Sequence, residues 1–482
     1  MSNASAAVAI DTSNIISSFD IDMPSVRRTL FRDYGDQGRY FFRMMKNLGY
    51  DRAVAQTTTT QYEEDWIWQT AHVGSGGITT VDAPTGSYSF KLGAASPNLD
   101  FLLGSTTSPY SSTAIYYPTV KQWDRIAFQG SQERIYFTVT SVSGTFPNVV
   151  VAIKQADLTQ TFTPANYPAD TTVVISGNAF SEGSDQTEGD VSKPLIDHAY
   201  LQICKGTFKT TGTQMAKQAW FDVLSDGTGI PAYYIKGQQD AEYRLGMSID
   251  NAMQFERVTT NPILDATTGE PILTTEGHIT YAKRKGINLT VPQGSFSIQL
   301  IDQINKTLDS LNAPSNYFWG MGIDMFAEKD NTLKAYNQNT AIEYTTKQMN
   351  EDLFGIGDDA AGKAMECGFN YFTKSGRTFA FSKMPQWNMK QTWGASGYQT
   401  PGMSWFAPIG SKADKKDPNN RIPYFGMIHL EFNGYNRMTE VWNVNGAGPG
   451  PKVTSLDVAK LCLRAHVGAE HCAGQLMGVT ER

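Results

Sequence analysis

Three short stretches of the chain carry residue types that could do chemistry. Gly357-Asp358-Asp359-Ala360-Ala361-Gly362-Lys363-Ala364 comes within one residue of a phosphate-binding loop. Three features argue against that use. Ala364 stands where a magnesium-coordinating hydroxyl is needed, Asp358 and Asp359 put carboxylates where backbone amides should face phosphates, and NEDLFGI makes a poor buried strand to precede the loop. Cys462, His466, His471 and Cys472 offer thiolate and imidazole, the ligands of zinc. On an extended strand Cys462 and His466 share a face while His471 and Cys472 oppose each other, so half-buried strand residues are expected rather than a metal centre. Glu63-Glu64-Asp65 is a run of adjacent acids with nothing dry around it, and such runs are solvated. No Ser-His-Asp order, HExxH helix or GxSxG elbow occurs. The expectation is therefore a protein that is not an enzyme, with no catalytic, cofactor-binding or metal site.

The elements that must hold these residues are many. At 482 residues the chain exceeds one compact core and is expected to form roughly two to four lobes. Only 18% of residues are charged, and charge-poor surfaces tend to be covered by partners. A net charge of −7 argues against a protein whose main work is gripping nucleic acid. No segment is apolar over the ~18 residues of a membrane span. The start, MSNASAAVAIDTSNII, lacks the basic and apolar regions of a signal peptide, so a cytoplasmic protein is expected. Four cysteines do not make a disulfide framework, and the glycosylation patterns at Asn288 and Asn305 mean nothing without secretion.

The stretch from Ser225 to Pro262 organises the rest. Ser225, Asp226 and Thr228 can cap a helix, Pro231 suits its first turn, and Pro262 makes Asn261 a stop. Tyr234, Ala241, Leu245, Ile249, Ala252 and Phe255 then form one apolar stripe, with Gly237 and Gly246 as weak points. Such a helix needs a sheet to lie on.

Ahead of it, residues 1 to 23 read as a flexible arm. Val26, Leu30, Tyr34, Phe41, Met44 and Leu48 read as a helix closed by Gly49, with Arg27, Arg28, Arg32, Arg39, Arg43, Lys46 and Arg52 making it locally basic. That run is either a solvated face or a contact with a neighbour's acids or with DNA. From Gln61 to Pro118 the composition is too poor in aliphatics for a core of its own and reads as a projecting β-loop. Tyr117 to Val174, with IYFTVTSV, NVVVAI and TTVVIS, reads as a small sandwich or barrel. After the long helix come a polar hairpin-like segment carrying Lys283, Arg284 and Lys285, a second helix from Phe296 to Leu311, a mixed lobe, and terminal strands.

This order of pieces resembles the major capsid proteins of tailed bacteriophages, with the Hong Kong 97-type fold. The local echoes are VTSV in the β-block, GNAFSEGS at Gly177 to Ser184, CKGTFKTTGT at Cys204 to Thr213, and QDAEYRLGMSIDNAMQFE in the long helix. Within that class the chain is most similar to the crAss-like relatives. The resemblance implies an α+β fold in which a spine helix, with Ala241, Leu245, Ile249, Ala252 and Phe255 as its core, packs on a β-sheet between axial and peripheral domains. It divides the chain into an N-terminal arm and helix (1–62), an extended E-loop (63–116), an inserted β-subdomain (117–185), a peripheral domain (186–295), an axial domain (296–445) and C-terminal strands (446–482).

The resemblance further implies an icosahedral shell of hexamers and pentamers enclosing double-stranded DNA without sequence specificity. Its partners would be auxiliary or decoration proteins and a portal protein, with no membrane and no cofactor, and its place the virion capsid, assembled in the host bacterial cytoplasm. Expected subunit-interface residues are Arg27, Arg28 and Arg32, paired with Glu182, Glu188 and Asp190 of an adjacent subunit, and Trp66, Trp68, Tyr88 and Lys91 of the E-loop. Lys-to-Asn cross-links would be allowed, yet Lys91 is the lone lysine of the E-loop segment and no catalytic carboxylate for it is legible. Two other classes stay open: a β-rich virion or glycan-binding protein such as a tail component, and, last, a metal-dependent hydrolase using His466 and His471.

Overall fold

A computed structural model describes residues 40–63, 71–92, 120–130, 135–144, 149–169, 171–185, 195–216, 232–259, 263–340, 370–389, 400–413, 421–447 and 451–482. The fold is mixed α+β and divides into two compact units. One contains Cys204–Ile249 and Thr439–Ala465; the other contains Tyr40–Ile203, Asp250–Met438 and His466–Arg482.

In the first unit the sequence pattern becomes a helix on a sheet. The helix Ala232–Phe255 is 24 residues long, about 36 Å at 1.5 Å per residue, and contributes its part up to Ile249 here. Beneath it Gln202–Thr211, which belongs to this unit from Cys204 on, and Glu440–Asn445 flank the strand Val458–His471, whose residues up to Ala465 belong to this unit. Glu440–Asn445 runs antiparallel to it, from Glu440 opposite Arg464 to Asn445 opposite Ala459. Ala241, Leu245 and Ile249 are buried to 6%, 4% and 2% exposure. A Cβ on Gly206 would lie 3.5 Å from Leu245 and 3.6 Å from Leu463, so strand backbone and helix side chains meet at van der Waals distance. Burying each large aliphatic here contributes about 1.5–3 kcal/mol.

The helix stops at Phe255, six residues short of the expected Asn261. The reason is tertiary. The Thr280 hydroxyl donates to the Phe255 carbonyl at 2.9 Å and the Gly277 N–H donates to Glu256 O at 2.9 Å, so the following segment satisfies the end of the helix before any proline is reached. Residues 217–231 and 260–262, which carry the expected caps and stop, lie outside the described residues.

The second unit holds a closed six-stranded barrel and a six-stranded sheet. The barrel runs, in spatial order, Ala71–Asp82, Ser87–Leu92, Val150–Gln155, Tyr136–Ser143, Asp124–Phe128, Thr172–Asn178, and closes where Ala71 pairs with Val173. This corrects the sequence reading in two ways. Residues 71–92, expected in a projecting loop without a core, are two of the barrel's staves, and the boundary at 116/117 would separate those two from the other four. Val73, Ile78, Phe90 and Leu92 point inward beside Ile126, Phe137, Val151 and Val173. Alternation supplies only every second residue, so the hairpin is too lean alone and sufficient once four later strands complete the circle.

The sheet orders Ile287–Thr290, Gly478–Glu481, Ser404–Pro408, Asn316–Met321, Arg377–Lys383, Asn370–Lys374. The helix Ile298–Ser310, capped by Ser297 where its side chain accepts from Leu300 N, places Ile301, Ile304 and Leu308 against Trp319, Phe379 and Phe406. Lys283, Arg284 and Lys285, expected in a hairpin-like segment, instead end a helix, His278–Lys285. Cations suit that end of the helix dipole. Ahead of the barrel the helix Tyr40–Leu48 ends at Gly49 with φ +68°, the left-handed cap its glycine implies.

Candidate functional site

The Cys/His stretch lies on one strand and the residue after it. Cys462, His466 and His471 all lie on Val458–His471 and are buried, at 8%, 4% and 5% exposure, and Cys472 follows half-buried. Cys462 faces Trp442 across the ladder. His471 Nδ1 instead meets His278 Nδ1 at 2.9 Å and its ring stacks on Tyr281 at 4.2 Å. Among the described residues no group of three or more His, Cys, Asp or Glu could hold a metal ion. Sequence spacing could not pair His471 with His278, which lies 193 residues away.

Electrostatics around this pair favour the neutral rings. Burial, then the neighbouring His471, holds His278 well below the ordinary histidine range. Burial, then Arg284, pushes His471 down to about 3. The cations are themselves held: Arg284 Nη2 lies 2.7 Å from Glu276 and 3.2 Å from Asp197, and Lys285 Nζ 2.5 Å from Asp197. Burial opposes the Arg284 charge, but the Glu276 and Asp197 carboxylates outweigh it and raise its pKa. Ion pairs buried in this way hold their side chains in place.

A second buried charge, Lys329, is fully enclosed with its ammonium 2.7 Å from Asp330 and 3.8 Å from the Phe326 ring centroid. Burial lowers its pKa. Sequence reading did not single it out, because a lysine on a helix is ordinarily solvated.

Of the residues expected at subunit contacts, Arg27, Arg28, Arg32, Trp66, Trp68, Glu188 and Asp190 lie outside the described residues, as do the 357–364 stretch, Glu64 and Asp65. Tyr88 is placed in the barrel core at 6% exposure, its ring edge-on to Phe137 at 5.9 Å and Phe162 at 4.8 Å. That corrects its expected interface role, since an enclosed ring has no surface to offer. Lys91, one position past Phe90 on the same strand, points outward and is exposed. Glu182 is exposed in a turn from Ser181 to Ser184, where Gly183 takes φ +77°. Along the long helix Ala241, Leu245, Ile249 and Ala252 are buried, and Phe255 is half-buried with its ring 6.1 Å from that of Trp387.

Trp123 (42% exposed, φ +73°), Phe180 (41%) and Trp442 (41%) are aromatics left in water. No helix of the described residues is long and apolar enough to cross a membrane.

No family model matches the chain, and no curated protein matches it. Among solved structures it is similar to one from Mycobacterium phage Bobi, at 8% identity and a TM-score of 0.36 over 98% of each chain. It is similar to one from Gordonia phage Cozz, at 9% identity and a TM-score of 0.35 over 100% of this chain and 98% of that one. It is also similar to the capsid asymmetric unit of cyanophage Pam1, at 8% identity and a TM-score of 0.34 over 63% of this chain and 82% of that one.

Proposed function

We propose that the chain is the major capsid protein of a tailed bacteriophage, a structural subunit of the Hong Kong 97-type that assembles into hexamers and pentamers and closes an icosahedral shell around double-stranded DNA. The observation that carries this reading is the long helix seated through Ala241 and Leu245 on Gly206 and Leu463, preceded in the chain by an inserted barrel and followed by an aromatic-cored sheet. That is the order of pieces in which the sequence resembles the family. A charge fraction of 18% and aromatics left in water suit a subunit whose surface is covered by copies of itself.

In this role the protein acts by burial rather than turnover. Assembly in the host cytoplasm, contacts with portal and decoration proteins, and a lining that tolerates DNA without reading its sequence belong to the same proposal. The test is expression with its cognate partners, followed by electron microscopy for closed shells.

A further inference from the structure

Among the described residues the sheet under the long helix has one face covered by that helix and an opposite face that carries exposed side chains, and their parity is fixed by contacts. Gly206 faces Leu245 and Leu463, and a Cβ on Gly237 of the helix would strike Phe208, so Gly206 and Phe208 point to the helix. Lys205, Thr207 and Lys209 therefore point the other way, and all three are exposed. On the next strand Leu463 faces the helix, which puts Lys460 and Arg464 on the open side; Trp442 and Glu440, opposite Cys462 and Arg464 in register, join them. Arg464 lies 5.2 Å over the Trp442 ring and its Nε donates to Glu440 at 2.6 Å. The face thus carries four cations, one carboxylate and an exposed tryptophan, on a chain of net charge −7.

The complementary chemistry sits on the barrel. After Ala179, whose N–H donates to Trp123 O at 3.1 Å, the segment Phe180-Ser181-Glu182-Gly183-Ser184-Asp185 turns through solvent with every residue exposed. It offers one aromatic and two carboxylates. Lys205 and Lys209 stand about 13 Å apart along their strand, and Glu182 and Asp185 at most about 10 Å apart, a mismatch that lysine side chains can bridge.

We propose that the open face of this sheet receives the Phe180–Asp185 turn of a second copy of the chain, with Glu182 and Asp185 meeting Lys205, Lys209 and Lys460, and Phe180 meeting Trp442. The proposal rests on the shell reading above and names one contact within it. Charges of opposite sign set register and speed encounter, while the aromatic pair adds apolar contact at one side of the patch. An exposed aromatic on the strand beside the cations gives a protein partner an apolar contact that a phosphate backbone does not use.

The test uses the full chain in four forms: wild type, Lys205→Glu/Lys209→Glu, Glu182→Lys/Asp185→Lys, and all four changes together. Sedimentation measures the critical concentration for shell assembly, and thermal unfolding of the dissociated subunit checks folding. Each reversal alone is expected to raise the critical concentration at least about tenfold, and the four-fold variant to return to within about threefold of wild type. Should a reversal not fold, the neutral pairs Lys205→Gln/Lys209→Gln and Glu182→Gln/Asp185→Asn replace it, with a smaller effect in the same direction. Normal assembly of either single reversal, or no recovery in the combined variant, overturns the contact. So does a lysine reversal that spares empty shells and weakens only binding of added duplex DNA. If wild type forms no shells, the shell reading itself fails.

Discussion

His278 and His471 face each other Nδ1 to Nδ1 at 2.9 Å inside a fully buried cluster, so one imidazole must donate while the other accepts. Phe41, Tyr281, Trp405 and Phe425 close the cluster, and Arg284 and Lys285, held by Glu276 and Asp197, disfavour a charge on His471. Two charged rings at that distance would repel with nothing to screen them.

An acid-sensitivity follows from this pair. The native pKa of His471 is pushed down to about 3, below the unfolded value near 6.5, and that of His278 is also lowered. Between those values the unfolded chain binds protons that the native state refuses, so the stabilisation is full above about pH 6.5 and is lost as pH falls towards about 3. Each histidine steepens the loss by about 1.4 kcal/mol per pH unit. Urea unfolding as a function of pH should show a shallower slope by that amount for His278→Asn; an unaltered slope would mean the pair is not neutral in the native state.

Gly277 is a glycine for want of space rather than for its dihedral angle. A Cβ there would come within 2.4 Å of the Gln254 carbonyl carbon and 2.5 Å of Phe255 N, both backbone atoms that cannot swing aside. Gly277→Ala is expected to cost more than about 2 kcal/mol of unfolding free energy, whereas Gly206→Ala, with its nearest contact at 3.5 Å, should cost less than half of that. Equal effects at the two positions would show that the close approach is relieved.

Placing a carboxylate in the apolar stripe should be far more damaging. Leu245 and Ile249 are 4% and 2% exposed, so Ile249→Asp must desolvate or protonate an unpaired acid at a cost of several kcal/mol. Soluble expression should collapse. A folded Ile249→Asp protein with native stability would contradict the burial of the stripe.

Much of this was legible in advance, and the limits have physical causes. The stripe Ala241, Leu245, Ile249 and the helix behind Ser297 repeat at helical period within a few turns, which is local information. So are the strands of IYFTVTSV and TTVVIS. The barrel was only half seen because Ser87–Leu92 pairs with Val150–Gln155, some sixty residues on, and Ala71 with Val173, a hundred on. Tyr88 read as a surface aromatic for the same reason: what encloses it, Phe137 and Phe162, arrives later in the chain. Of the surface, the stretch CKGTFKTTGT was legible as a segment, but which of its side chains face away from the helix depends on Leu463 and Trp442, brought in more than two hundred residues later.

Deleting Gly74 to Pro97 tests the barrel directly. As a projecting loop this segment would be dispensable for folding; as two of six staves it is not. The deletion should expose Phe137, Val151 and Val173 and yield insoluble protein or a barrel open to proteolysis. A soluble deletion variant with protease resistance unchanged over 120–185 would restore the loop reading.

The shell reading is tested most directly by the size of the particle. Purified after expression with its cognate partners, the chain should sediment as closed shells that electron microscopy resolves into pentamers and hexamers. A well-behaved monomer under every condition of salt, concentration and partner would contradict the account.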